Sequence, residues 1–239
     1  MKKKEETSWL KEIPSQCLQQ KCQDLDTALK HSFKKTSSKN GFPKFKSRKT
    51  DESGIRFPSF VLQGGKIILP KMKSEIKVRF HREFIGEPGS ITISRDKTGN
   101  FFASVLVKIT DIEKVSKIES VVGIDLGLKE FAVTSDSEII ENPKFGKRIE
   151  RQLKKLNRSH SKKQKGSNNK EKARLKLARK HKQITNKRKN FLHQTAASIT
   201  KNNDLIVVED LNVKGMMKNH KLAKAISDVS WGSFESTLE

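Results

Sequence analysis

Val121-Val122-Gly123-Ile124-Asp125-Leu126-Gly127 is an apolar run broken by one carboxylate, and its reading decides how the chain is organised. Branched apolar residues at this density favour a strand. Phe131-Ala132-Val133-Thr134 and Ile139-Ile140 follow as two more short strands joined by tight turns. A helical stretch then runs from about 145 to 201, interrupted at Lys165-Gly166-Ser167-Asn168-Asn169. A last strand, Leu205-Ile206-Val207-Val208-Glu209-Asp210, ends on a second carboxylate. An ionised acid in an apolar strand is costly unless it is paired or bound to a metal. If the strands of Asp125 and Glu209 lie side by side, both carboxylates meet at one sheet end. Oxygen ligands there would suit a hard cation such as magnesium. Gly123 and Gly127 carry no β-carbon and would leave room for a phosphate or sugar. Bland readings remain: Asp125 bonded to turn amides, and Glu209 paired with a nearby cation.

The charge points outward to a partner. Among 239 residues, 51 Lys and Arg face 27 Asp and Glu, a formal charge of +24. Self-repulsion on this scale weakens a compact state, so it serves a polyanion, with nucleic acid first and an anionic membrane surface second. Between Lys147 and Lys189 there are nineteen Lys and Arg against two acids, Glu150 and Glu171. Leu177, Ile184 and Phe191 recur every seven residues in this stretch, a narrow packing seam with cationic faces around it. No run approaches the roughly 18–20 apolar residues of a spanning helix. Met1 to Glu6 has a basic start with no apolar region behind it, so no secretory signal is read and a cytoplasmic location is the default. Cys17 and Cys22 are the two cysteines, and no CxxC pair supports a structural zinc.

Upstream, Leu18, Cys22, Leu25, Leu29 and Phe33 lie at helical spacing from Pro14 to Lys35, a packing helix with Cys22 in its core face. From about Gly41 to Ile109 the period changes. Residues 55–57, 66–69, 75–80, 90–94 and 100–109 read as five strands, with turns at Gly64-Gly65, Glu87-Pro88-Gly89 and Lys97 to Asn100. Five strands at this spacing predict a small antiparallel barrel or sandwich. Phe42-Pro43-Lys44-Phe45-Lys46 mixes aromatics with cations, which suits base stacking with phosphate neutralisation; a solvated strand face is the equal alternative. A final helix is expected from about Leu222 to Leu238, leaving an apolar face uncovered near Trp231 and Phe234.

The order of strands, basic helix and carboxylate-ended strand resembles the TnpB family, the OrfB products of insertion sequences. Val121 to Val133 and Ile206 to Met216 carry the likeness, with Glu141 to Phe145, Lys163 to Arg174, Leu222 to Asp228, Phe42 to Ser47 and Ser90 to Arg95. It extends from about Pro14 to Glu239. The resemblance implies a mixed α+β and α/β chain in three parts: residues 1–40, a helical remnant of a recognition lobe; 41–118, an oligonucleotide-binding-like β-barrel; and 119–239, an incomplete RuvC/RNase H-like nuclease domain whose basic helices span about 145–201. It also implies a guide RNA and a target DNA as partners of a transposase-associated DNA endonuclease, no membrane association, a monomer, and a cytoplasmic, nucleoid-associated location in a bacterium or archaeon.

By motif match, Asp125 and Glu209 would be catalytic acids holding magnesium or manganese. Lys44, Lys46, Lys154, Lys155, Arg158, Lys162, Lys163, Lys165, Arg174, Arg179, Lys187 and Arg188 would meet nucleic acid. The family pattern opens with further elements and runs on past a zinc ribbon to a third catalytic Asp. Against that pattern the chain reads as shortened at both ends, without the ribbon and with impaired cleavage. The competing reading is a non-catalytic RNA- or DNA-binding remnant or repressor.

Overall fold

The computed structural model describes residues 5–34, 41–44, 53–81, 83–109 and 117–238. The chain divides into two compact units, Met1–Ile112 and Glu113–Glu239.

In the first unit a 3₁₀ segment, Glu5–Glu12, leads into α1 (Ser15–Phe33). Six strands follow: β1 (Ser53–Phe57), β2 (Val61–Gln63), β3 (Lys66–Ile68), β4 (Ile76–Lys77), β5 (Glu87–Arg95) and β6 (Phe101–Lys108). All five expected strands are present, but β4 covers only Ile76–Lys77 of the expected 75–80, and Glu87 to Gly89, expected as a turn, opens β5. The addition is β2, which forms a hairpin with β3 across Gly64 and Gly65, both at positive φ. Such φ values suit glycine because a β-carbon would clash with the backbone. The strands make two three-stranded antiparallel sheets, ordered β1-β5-β6 and β2-β3-β4. A closed barrel needs two neighbours for every strand. Among the described residues β1, β2, β4 and β6 have one each, so the expected barrel is not closed.

The unit's core gathers Cys17, Phe57, Ile67, Leu69 and Ile91. The expected helix face is therefore corrected: Cys17 is buried and Cys22 is exposed. Leu25 and Phe33, expected on the same stripe, are also exposed. The helix contributes its first turn to this core and leaves most of its later turns in solvent.

The second unit holds β7 (Val121–Leu126), β8 (Glu130–Thr134), β9 (Ile139–Glu141), α2 (Phe145–Ser161), α3 (Asn168–Asn202), β10 (Leu205–Val208), α4 (Val213–Met216), α5 (Ala223–Val229) and α6 (Trp231–Leu238). The sheet order is β10-β7-β8-β9. β7, β8 and β9 pair antiparallel, and β10 lies parallel to β7. Parallel neighbours need a long crossover, which α2 and α3 supply. β7 alternates: Val122, Ile124 and Leu126 are buried, while Val121 and Asp125 are exposed. The inner face packs on Leu192, Ala196 and Ile199 of α3 and on Ile226, Val229, Trp231 and Phe234. A register shift between Glu130 and Ala132 accommodates Phe131 as the extra residue. Its buried ring stands edge-on to Phe191 at 4.9 Å and Phe234 at 5.0 Å.

The heptad seam divides its work. Ile184 is buried, Leu177 is half-buried, and Phe191 meets Phe145 of α2 edge-on at 6.2 Å as well as Phe131. Phe145, Ile149, Leu153 and Leu156, half-buried at helical spacing, form the apolar stripe of α2, which packs along α3. The expected final helix is two helices, because Ser230 takes a left-handed conformation (φ 62°) between α5 and α6. That break turns Trp231 and Phe234 into the core, at 2% and 0% exposure, so the apolar face expected there is not uncovered.

Candidate acid pair and basic surface

The parallel register places Leu205 beside Val121 and Val208 beside Ile124. One step further, Glu209 follows β10 at the level of Asp125 on β7. Both residues are exposed. The reading of Asp125 as an acid interrupting an otherwise buried strand is corrected, since Asp125 belongs to the outward set of an alternating strand. Around the acids this face carries exposed apolar side chains, Val121, Val207 and Leu205.

The entries of the two strands are stapled. Asp204 Oδ2 accepts the main-chain N–H groups of Glu119 (2.9 Å) and Ser120 (3.1 Å) and the Ser120 hydroxyl (3.2 Å). The Glu119 and Ser120 amides, in that order, and then the hydroxyl hold the Asp204 carboxyl below its ordinary range. The two glycines of the motif serve different ends. A β-carbon on Gly127 would stand 2.9 Å from the Glu130 carbonyl oxygen, so Gly127 is required by the β7–β8 turn. At Gly123 the nearest atom would be Ser135 Cβ at 3.8 Å, and the Ser135 hydroxyl accepts the Gly123 N–H at 3.2 Å. The close approach accounts for Gly127, while nothing in the structure requires a glycine at Gly123.

Two carboxylates with hard oxygen donors fit magnesium or manganese better than a soft metal. Among the described residues no group of three or more His, Cys, Asp or Glu side chains is placed to hold a metal ion.

The predicted cationic residues divide by position. Lys154, Lys155 and Arg158 are exposed on α2; Lys162, Lys163 and Lys165 are exposed at the end of α2 and in the turn that follows; Arg174, Arg179 and Lys187 are exposed on α3. Lys154 also pairs with Glu150 at 2.8 Å, and Arg174 grips Glu171 through two hydrogen bonds of 2.8 and 2.6 Å. Arg188 differs from the rest: it is largely buried and binds Asp228 Oδ1 at 2.7 Å, a structural contact. In the first unit Lys44 is exposed, and Lys46 lies outside the described residues.

Sequence reasoning missed Asp228. Its carboxylate accepts the Gly146 N–H at 3.0 and 2.9 Å, near the start of α2, while also binding Arg188 of α3. A β-carbon on Gly146 would come within 2.8 Å of Asp228 Oδ1, so this close approach explains the glycine. The Asp228 carboxylate thus joins α2, α3 and α5. A second tie runs through Glu150, which also pairs with Lys224 of α5 at 2.6 Å. The hydrogen bonds from Lys154 and Lys224 push the Glu150 carboxyl down to about 2.

No helix among the described residues is long and apolar enough to cross a membrane. The family described as "Probable transposase", OrfB of the IS605 type, matches residues 104–220. A Streptomyces pristinaespiralis protein named "Putative RNA-guided DNA endonuclease" is 38% identical over 242 residues, covering 100% of this chain and 59% of that protein. InsQ of Escherichia coli K12, similarly named, is 34% identical over 217 residues, covering 90% of this chain and 52% of its own length. A Mycobacterium tuberculosis protein with the same type of name is 30% identical over 142 residues, 57% of this chain and 31% of its own. The chain therefore spans little more than half the length of the first two relatives. The matching family, the relatives and the motif around Asp125 and Glu209 agree, and the chain belongs to the OrfB family of insertion-sequence transposases, also called TnpB.

Proposed function

We propose that this chain works in RNA-guided DNA cleavage, with Asp125 and Glu209 as metal-holding acids and the α2–α3 hairpin as a polyanion-binding surface. One observation carries the reading: the parallel register of β10 on β7 brings Glu209 level with Asp125. The sheet order, with three antiparallel strands, a helical crossover and a parallel fourth strand, supports an RNase H/RuvC-like nuclease domain. The names of the relatives support RNA and DNA as partners.

A divalent cation held by the two carboxylates would supply Lewis acidity at a phosphodiester. The chain's own part is to hold the two acids in register and to neutralise the phosphates. Asp204 does the first through its staple to Ser120, and the exposed cations of α2 and α3 do the second. Because α2 and α3 pack along one another through apolar seams, their cations are carried on a rigid hairpin. Phosphate contacts of this kind fix position without reading sequence, which suits a protein whose target is chosen by a guide.

A second reading, nucleic-acid binding without cleavage, is favoured by the exposed cations of α2 and α3, which can neutralise phosphates without the two acids. One experiment separates the two. The chain and its Asp125→Ala and Glu209→Ala variants are incubated with RNA, target DNA and magnesium. Metal-dependent cutting that both variants lose supports the nuclease reading. Equal binding by all three chains with no cutting supports the second.

A further inference from the structure

We infer that a cleft between α2 and α5 takes a phosphodiester group of a nucleic-acid strand; this rests on the polyanion-binding reading above. The cleft has a volume of about 550 Å³, within the roughly 300–1,000 Å³ of common ligand sites. Lys144 and Lys147 line it from the start of α2, and Lys221 and Lys224 line it from α5 and the turn before it.

Its acids are already committed. Glu150 is shared between Lys154 and Lys224, and Asp228 between Arg188 and the Gly146 N–H. Lys144, Lys147 and Lys221 are left with no acid partner among the described residues. Three ammonium groups around one concavity repel one another, and a phosphate with its sugar is an occupant that relieves this. The Lys stems, Leu128 and Ala225 give the wall an apolar part that a sugar can rest on.

The cleft is also held in place. Lys144 adopts a left-handed backbone (φ 47°), unusual for a residue other than glycine. Asn142 secures that turn, its Oδ1 accepting the Lys144 N–H at 3.1 Å while its Nδ2 donates to the Leu128 carbonyl at 2.8 Å. Backbone strain of this kind concentrates at binding sites. The exposed cations Lys155 and Arg158 further along α2 have no comparable turn at their base.

The test compares the unmodified chain with Lys144→Gln/Lys221→Gln, with the charge-keeping Lys144→Arg/Lys221→Arg, and with Lys155→Gln/Arg158→Gln. Affinity for a duplex DNA and for a single-stranded RNA is measured by fluorescence anisotropy across a salt series. Two lost phosphate contacts should flatten the log–log salt slope by about 1.8 on the duplex or about 1.4 on the single strand. The substrate that shows the flattening identifies which strand the cleft takes. The Arg pair should keep the original slope, and all variants should keep the melting temperature because these side chains are exposed. If the Gln pair binds as the unmodified chain does while Lys155→Gln/Arg158→Gln loses affinity, the cleft is overturned and the wider reading stands. No salt-dependent binding by the unmodified chain would overturn both.

Discussion

The Asp204 carboxylate accepts the main-chain N–H of Ser120 at 3.1 Å, and the Ser120 hydroxyl accepts the main-chain N–H of Asp204 at 3.0 Å. Two residues 84 apart in sequence thereby exchange bonds immediately before β7 and β10 begin. Parallel strands that start in step stay in step, so this staple sets where Glu209 falls relative to Asp125. A one-residue slip would send one acid to the opposite face.

Asp204→Ala should therefore lower the melting temperature and impair any activity that needs both acids. The acid limb carries a sign that can be checked. The folded carboxyl lies below its unfolded value, ordinarily about 3.9, because the Glu119 amide, then the Ser120 groups, stabilise the charged form. Its contribution is fully present above the unfolded value and is lost as pH falls through the folded one. Urea midpoints measured between neutral pH and pH 3 should drop less steeply for Asp204→Asn than for the unmodified chain. Parallel curves would remove the staple from the stability argument.

Gly146→Ala tests the latch on α2. The new β-carbon would sit 2.8 Å from Asp228 Oδ1, so the carboxylate must move off the Gly146 N–H. A lost cap costs about 1–2 kcal/mol. Asp228→Ala also strands Arg188, whose side chain is 25% exposed. Solvent softens the penalty, so a loss of about 2–4 kcal/mol is expected, below or within the range for fully buried pairs. Chemical denaturation should rank Asp228→Ala below Gly146→Ala, and both below the unmodified chain.

How much of this was legible in the sequence depends on which forces are local. Strands β7, β8, β9 and β10 were readable because apolar runs and turn residues announce themselves within a few positions, whereas the parallel pairing of β10 with β7 entered only as a condition. The latch was not readable, because Gly146 and Asp228 lie 82 residues apart and neither breaks a pattern. Cys22 was preferred to Cys17 because helical spacing defines a stripe without saying how much of it is covered. The first turn of α1 reaches the core of its unit, and the stripe beyond it runs into solvent. The split at Ser230 was hidden for a related reason. Serine seldom takes a left-handed conformation, so its sequence gave no signal that Trp231 and Phe234 turn inward.

The cations of α2 and α3 predict a steep response to salt. If about six phosphates are contacted, log K against log salt should have a slope near −5 on duplex DNA. Anisotropy titrations across several salt concentrations measure it. A flat response would remove the hairpin as a polyanion surface, since neutral contacts release no counterions.

The acid pair makes the sharpest prediction because structure and function should separate there. Asp125 and Glu209 are exposed and show no hydrogen bond or ion pair among the described residues, so truncating either removes no visible support from the fold. Asp125→Ala and Glu209→Ala should each keep stability within about 0.5 kcal/mol, the ordinary range for surface changes. Their oligonucleotide affinity should hold or rise slightly, since a negative charge beside the bound phosphates has been removed. Any metal-dependent DNA cleavage should nevertheless fall by several powers of ten, at about 1.4 kcal/mol of transition-state stabilisation per decade. The measurements are thermal melting, anisotropy and a cleavage time course, made on the same preparations. Lower stability together with lower cleavage would make the acids structural. Unchanged cleavage with intact folding would remove them from the site, whatever the register of β7 and β10.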